Sequence, residues 1–127
     1  KLFVFLAALR AGYTPDTGVN DAPLIMGDWR PRNYSDSYRG RITLREAAAA
    51  SSNVVAVRLQ ERVGRAQVIR AARDLGVTSP LRPIPTLALG TEGVSLLEMT
   101  SAYAAVASGR YPVRPHGLPR ASGGLFN

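Results

Sequence analysis

The chain has 127 residues, of which 46% are apolar, a composition typical of a globular protein of one domain or less and not of a disordered chain. Because it has no cysteine and a single histidine, it offers no disulfide, no thiolate metal site and no ready set of other metal ligands. Its sixteen basic and nine acidic residues give a net charge of +7, but the arginines are scattered, which is more typical of solvated faces than of a nucleic-acid or membrane surface.

The first predicted element is a helix over residues 2–11, which is apolar almost all round and therefore suited to burial within a larger core. Gly12 is its natural end. The apolar run is far shorter than the ~20 residues of a membrane-spanning helix, and no small-residue cleavage site follows it. The chain starts at Lys1 and stops abruptly at Asn127, so we interpret it as an internal fragment.

Residues 12–41 contain three prolines and four aspartates without a sustained period. They predict a long ordered loop with one short strand near residues 24–26. The side chains of Trp29, Asn33 and Tyr34 allow two interpretations. They line a substrate groove, or Trp29 and Tyr34 attach the loop to the core, and the second interpretation is favoured.

A capping box predicts the next helix, with Thr43 as N-cap and Glu46 three residues later. This helix meets residues 51–53, a Ser-Ser-Asn sequence whose side chains compete for backbone hydrogen bonds and favour caps and turns. Helical spacing resumes over residues 54–63 and ends at Gly64. On its own, the Ser-Ser-Asn sequence is therefore more typical of a helix cap than of a catalytic motif.

Beyond Gly64, a helix is predicted over about residues 66–75. Three prolines within residues 78–85 exclude a long helix there. A second capping box at residues 95–98 predicts a helix through about residue 108, followed by a proline-rich extended segment that contains His116, to which no role is assigned. The chain is thus predicted to be mainly helical.

The order and spacing of several segments resemble the transpeptidase domain of class A penicillin-binding proteins, the enzymes that cross-link bacterial peptidoglycan. The resemblance extends from residue 1 to about residue 115. It rests on the sequences at residues 8–16, 29–34, 38–47, 51–57, 87–90, 97–98 and 102–105. An ordered match of this length is much more specific than any single short motif.

Three active-site motifs characterise this family: Ser-x-x-Lys, Ser-x-Asn and Lys-Thr-Gly. The second corresponds to Ser51 and Asn53. Lys1, the only lysine in the chain, corresponds to the lysine of the first, which places the serine nucleophile three positions before residue 1. No Lys-Thr-Gly occurs in the chain. The resemblance is thus to the central part of the domain.

The resemblance implies a role for each of these three residues. Lys1 acts as base for the serine, since amine and hydroxyl three residues apart on a helix share a face. A basic Lys1 must be neutral, which requires burial or cationic neighbours. Ser51 relays a proton to the leaving amine, and the amide of Asn53 hydrogen-bonds Lys1 and the substrate. No metal or organic cofactor is implied.

The implied fold is the mixed α/β serine transpeptidase/β-lactamase fold, of which residues 1–127 are mostly the α-helical lobe. The implied partners are peptidoglycan stem peptides, as D-Ala-D-Ala donor and amine acceptor, and β-lactams. The implied setting is the extracytoplasmic face of the bacterial inner membrane, in a membrane-anchored protein with an upstream glycosyltransferase domain.

Two other interpretations compete with this one. A catalytically dead relative that serves as an interaction domain is compatible with the chain, because the nucleophile lies outside it. A basic helix-turn-helix DNA-binding module is suggested by residues 67–78. However, its second helix would have to run through Pro80, Pro83 and Pro85, each of which costs about 3 kcal/mol in a helix interior. The prolines therefore argue against the DNA-binding module.

Overall fold

The computed structural model describes residues 1–90. They form four α-helices, a short antiparallel hairpin and one 3-10 helix. The helices are α1 (Leu2–Arg10), α2 (Leu44–Ala49), α3 (Asn53–Val63) and α4 (Arg65–Asp74), the strands are β1 (Gly18–Asp21) and β2 (Gly40–Thr43), and the 3-10 helix is Pro85–Leu89. The predicted helices of this part of the chain are confirmed. The helix predicted over residues 95–108, the extended segment after it and His116 lie outside the described residues.

Helix α1 packs against α3 and α4 and buries Val4, Leu6, Ala7 and Ala8. The remaining large apolar side chains of the helix are half-buried and contact the same core. Gly12 follows the helix with a φ of +105°, a conformation that favours glycine. An ion pair of 2.6 Å between Arg10 and Asp74 joins the C-terminal ends of α1 and α4. No helix in residues 1–90 has the length and apolar character needed to cross a membrane.

The hairpin corrects one prediction from the sequence. Strands β1 and β2 pair antiparallel with Val19 opposite Ile42, whereas residues 24–26 form no strand. Met26 makes only an isolated bridge with Trp29. Each strand has four residues, too few for an alternation of apolar and polar residues to stand out in the sequence, and pairs with a strand about twenty residues away. The hairpin is therefore stabilised by contacts that no local pattern reveals.

Two caps define the segment between α2 and α3. The capping box of α2 is confirmed, since Thr43 accepts from the backbone N–H of Glu46 and the Glu46 carboxylate accepts from that of Thr43. Ser52 is the N-cap of α3, and its Oγ accepts from the backbone N–H of Val55 at 3.1 Å. The cap interpretation of the Ser-Ser-Asn sequence is thus correct for Ser52.

Helix α3 forms the centre of the core and contacts α1, α4, β1 and the 3-10 helix. Its buried apolar side chains are Val54, Val55, Ala56, Val57 and Leu59. After α4, residues 78–84 contain no α-helix, as the three prolines predict. The second helix of a helix-turn-helix is therefore absent from this part of the described chain.

Candidate active site

The packing of α1 against α3 brings Lys1 next to Ser51. Lys1 is the half-buried N-cap residue of α1, and Ser51 is exposed in the turn between α2 and α3. The Lys1 amine donates a hydrogen bond of 2.9 Å to the Ser51 Oγ. A protonatable amine and a hydroxyl at this distance can exchange a proton directly.

Ser51 has a left-handed backbone conformation, with a φ of +54°. Only one other non-glycine residue among residues 1–90, Asp36, has a positive φ. This conformation costs an ordinary residue about 1–2 kcal/mol, and such strain persists only where the surrounding structure enforces it. At Ser51 it reverses the chain between two helices, so that the Ser51 side chain faces solvent while the Ser52 side chain is buried.

Asn53 is the first residue of α3 and is half-buried. Its side-chain amide donates to the backbone carbonyl of Arg32 at 2.8 Å. The hydrogen bond expected between Asn53 and Lys1 stays a prediction. The contact that is present attaches the start of α3 to the loop after β1.

A buried polar network lies behind Ser51 and joins Asp21, Asn33 and Ser52. The Ser52 hydroxyl donates to Asp21 Oδ1 at 2.7 Å and approaches Asn33 Oδ1 at 3.3 Å. The amide nitrogen of Asn33 donates to Asp21 Oδ1 at 2.8 Å. Asp21 and Ser52 are only 2% and 3% exposed. The three residues come from β1, the loop after it and the N-cap of α3, so the network holds three separate segments together.

The charge of Asp21 is stabilised by its neighbours. Burial alone would favour the neutral acid, but the hydrogen bonds from Asn33, Ser52 and the backbone N–H of Arg39, together with the positive charge of Arg39, outweigh it and hold the pKa of Asp21 below its ordinary value of 3.8. Asp21 is therefore ionised at neutral pH, and its hydrogen bonds are of the stronger, charge-assisted kind.

Lys1 and Ser51 open onto a cavity of about 440 Å³. Asp21, Asn33 and Ser52 form its inner wall, while Tyr34 and Arg39 lie at its exposed rim. The volume is suited to part of a small peptide. The wall carries an amine, hydroxyls, an amide and a carboxylate, so the cavity can bind a polar peptide and move protons.

The sequence allowed two positions for Trp29, Asn33 and Tyr34, in a substrate groove or against the core, and the structure shows both. Trp29 packs against the core, as predicted. Tyr34 is fully exposed at the cavity, so its predicted attachment to the core is wrong. Asn33 lines the cavity and joins the polar network. Asp21 is a site residue that the sequence did not predict, because no local pattern distinguishes it from the other three aspartates of the loop.

The family model for the penicillin-binding protein transpeptidase domain matches residues 1–119 of this chain. The chain belongs to this family. It is 34% identical to penicillin-binding protein 1A of Rickettsia felis over 91% of its length, 35% to that of Pseudomonas aeruginosa over 94% and 37% to that of Neisseria meningitidis over 91%. The chain spans 15–16% of the length of these relatives.

Solved structures of penicillin-binding proteins have the same arrangement. The match to penicillin-binding protein 1A of Haemophilus influenzae covers 90% of this chain and 18% of the other chain, with a TM-score of 0.81 and 29% identity. The match to PonA1 of Mycobacterium tuberculosis in complex with penicillin V covers 87% of this chain and 34% of the other, with a TM-score of 0.80 and 26% identity. The match to penicillin-binding protein A of M. tuberculosis as an imipenem acyl-enzyme covers 85% of this chain and 31% of the other, with a TM-score of 0.73 and 25% identity. The predicted serine transpeptidase/β-lactamase fold is thus confirmed.

Proposed function

We propose that the chain is the central part of a peptidoglycan D,D-transpeptidase that works through a serine acyl-enzyme and is acylated by β-lactams. The nucleophile is a serine three positions before Lys1, and a Lys-Thr-Gly strand follows later in the domain. The catalytic residues within the chain are Lys1, Ser51 and Asn53. The observation that carries the proposal is the hydrogen bond of 2.9 Å between Lys1 and Ser51, which places two proton-transfer groups beside an open cavity.

The proposed acylation moves two protons. The serine hydroxyl gives its proton to the neutral amine of Lys1 while its oxygen bonds the carbonyl carbon of the penultimate D-alanine. The C–N bond to the last D-alanine then breaks as the leaving nitrogen receives a proton through the Ser51 hydroxyl, which Lys1 replenishes. An amine from a second stem peptide attacks the ester, takes the acyl group and releases the serine.

Asn53 has the role of a substrate-binding residue in this scheme. An amide side chain both donates and accepts, so it can hydrogen-bond the peptide group of a stem peptide. In the structure its nitrogen donates to Arg32, which fixes the orientation of the side chain at the start of α3. The second N–H and the carbonyl oxygen of the amide are then the groups proposed to contact the substrate.

The proposed setting follows from the same family membership. We place the protein at the extracytoplasmic face of the inner membrane, where peptidoglycan lies, with a membrane anchor and a glycosyltransferase domain outside residues 1–127. The relatives supporting this are penicillin-binding proteins 1A. The catalytically dead alternative differs from this proposal in one respect: it requires another residue in place of the serine three positions before Lys1.

The test is covalent labelling of the full-length protein by a fluorescent penicillin. We expect Asn53→Ala to lower the labelling rate by about 10²-fold or more, on the scale of a lost positioning or electrostatic contact. Asn20→Ala is the matched control, since Asn20 has the same side chain and is exposed on β1. It should label at the wild-type rate.

Three results would count against the proposal or a part of it. A wild-type protein that is folded yet takes up no label would support the catalytically dead alternative. Wild-type labelling of Asn53→Ala would remove Asn53 from the site. Steep salt-dependent retention on duplex DNA, together with no labelling, would favour the DNA-binding alternative instead.

A further inference from the structure

The polar network behind Ser51 contains more hydrogen bonds than a helix cap requires. A cap needs only the hydrogen bond from Val55 to Ser52 Oγ. Here the capping hydroxyl is itself anchored on a buried carboxylate. We infer that Asp21 and Asn33 are positioning residues for the proton-relay hydroxyl of Ser51 and act on it through Ser52. The inference rests on the proposed function, since it concerns the reaction in which Ser51 takes part.

Ser52 is fixed by more contacts than its own helix provides. Its single hydroxyl proton goes to Asp21 Oδ1 at 2.7 Å, the shorter of its two acceptor contacts, and the negative charge of Asp21 strengthens that bond. Its lone pair accepts from Val55. With donor and acceptor both committed in a buried place, the Ser52 side chain has one orientation.

Asn33 fixes the backbone on the far side of Ser52. Its carbonyl oxygen accepts from the backbone N–H of Val54 at 3.2 Å, and its nitrogen donates to Asp21 Oδ1 and to the carbonyl of Ser37. Every polar atom of the Asn33 side chain is thus used between the loop and the first turn of α3. The loop and the helix start cannot move apart without breaking this bridge.

The second carboxylate oxygen of Asp21 is bound by the backbone just before β2. Its Oδ2 accepts from the backbone N–H of Arg39 at 2.9 Å, just before β2. Asp21 itself ends β1. The carboxylate is therefore fixed by the hairpin, and the network transmits the position of the hairpin to Ser52.

The network restrains Ser51, because Ser51 directly precedes Ser52 in the chain. Ser51 has the strained left-handed conformation. On its N-terminal side, the chain is held by the backbone bonds of Ser51 to Ala48 and of Ser52 to Ala47. On its C-terminal side, it is held by the network. The two backbone bonds close α2 with Ser51 in the left-handed position that commonly follows a helix, and the network fixes the direction in which the chain continues from Ser51 through Ser52. A shift of Ser52 would turn the Ser51 hydroxyl away from Lys1.

The chemistry of the leaving group separates this role from a merely structural one. An amine leaves only when it is protonated, whereas a thiolate leaves without a proton because it is a much weaker base. Misplacing the relay hydroxyl should therefore slow the acylation by a D-Ala-D-Ala peptide and spare the acylation by a thioester with the same acyl part. Loss of folded protein would lower both rates equally.

The experiment compares these two donors in the full-length protein and in Asp21→Asn, which keeps the side-chain shape and removes the charge. Active enzyme is counted by the fraction that β-lactam acylates at saturation. We expect kcat for the peptide to fall by about 10- to 100-fold with little change in KM, on the scale of a small misplacement of a catalytic group. The thioester rate should change by less than about threefold.

Four further variants complete the comparison. Asp74→Asn breaks the ion pair with Arg10 between α1 and α4 and is the matched control, which should leave both rates unchanged. Ser52→Thr retains a hydroxyl and should recover most of the peptide rate that Ser52→Ala loses. If Asp21→Asn does not fold, Asn33→Ala answers the same question, since it leaves the carboxylate in place.

The outcomes separate the inference from the proposed function. Equal losses for peptide and thioester, or no loss for either, in Asp21→Asn would overturn the positioning role. Ser51→Ala serves as the reference for the reaction itself. If Ser51→Ala loses the peptide rate while Asp21→Asn and Asn33→Ala keep it, only the inference fails. If Ser51→Ala keeps the wild-type peptide rate, the proposed relay fails as well.

Discussion

The amine of Lys1 donates a hydrogen bond of 2.9 Å to the hydroxyl of Ser51, across fifty residues of chain. The contact is not formed within either residue's own helix. Lys1 precedes α1, Ser51 precedes α3, and the two helices pack against each other. The distance between amine and hydroxyl is therefore set by the core, and changes at either residue test the chemistry directly.

Replacing Lys1 by Arg should abolish its function as a base while keeping a positive charge and hydrogen-bond donors near Ser51. A guanidinium does not lose its proton in proteins. We expect acylation by penicillin to slow by about 10²- to 10⁴-fold, the usual contribution of a general base. The measurement is the labelling rate of the full-length protein, with Arg45→Lys, at an exposed surface pair with Asp16, as the control. A Lys1→Arg protein that labels normally would contradict the assigned role.

Two substitutions at Ser51 should separate its strained backbone from its hydroxyl. Ser51→Gly and Ser51→Ala both remove the hydroxyl, but only glycine tolerates a φ of +54° without strain. We expect the Gly variant to be more stable than the Ala variant by about 1 kcal/mol, whereas both lose the relay. Thermal unfolding measures the first effect and peptide acylation the second. Equal stability of the two variants would show that the backbone at Ser51 is unstrained.

The lowered pKa of Asp21 predicts a dependence of stability on pH. Because the folded-state pKa lies below the ordinary value of 3.8, ionised Asp21 stabilises the fold above that value, and this stabilisation is lost as pH falls through the folded-state pKa. The melting temperatures of wild type and Asp21→Asn should thus differ most near neutral pH and converge as the pH falls through the folded-state pKa of Asp21. Asp28→Asn, at an exposed position of the same loop, should change the melting temperature little throughout. A constant gap for Asp21→Asn would argue against this linkage.

Gly64 joins α3 to α4 with a φ of +101° and a ψ of +136°. A Cβ at this position would meet nothing closer than Gln67 Cγ at 4.0 Å, so the cost of Gly64→Ala is backbone strain. We expect a destabilisation of about 1–3 kcal/mol with no change in the acylation rate of the folded protein. Gly18→Ala is the contrasting control, because its φ is ordinary and its Cβ would contact only the movable side chain of Arg41 at 3.1 Å. Urea unfolding should rank Gly64→Ala as the more damaging change.

Residues 1–127 alone should not react with penicillin. The proposed nucleophile and the Lys-Thr-Gly strand both lie outside them, and acylation needs an activated serine together with a site for the developing oxyanion. Incubation of this polypeptide with a fluorescent penicillin is expected to give no covalent band, whereas the full-length protein gives one. Stoichiometric labelling of the short chain would identify a nucleophile within it, and Ser51, beside Lys1, would be the first residue to examine.

Local sequence signals predicted the helices because each signal acts within one turn. The capping box of Thr43 and Glu46 and the glycines after α1 and α3 depend on contacts between residues at most four apart. The hairpin lacked such a signal. Its four-residue strands are stabilised by pairing across the loop, and the same long-range packing places the half-buried Trp29 against the core while leaving Tyr34 exposed at the cavity.

The sequence by itself determined the family, the four α-helices of residues 1–90 and the candidate residues Lys1, Ser51 and Asn53, because motif order and helix caps are properties of the chain. Only the tertiary structure decided that Lys1 and Ser51 share a hydrogen bond. It also decided that Asp21, one of four similar aspartates in the loop, lies buried behind the Ser-Ser-Asn sequence. The physical reason is the same in both cases. Hydrogen bonds between residues 31 and 50 positions apart exist only after the core has brought their helices and strands together.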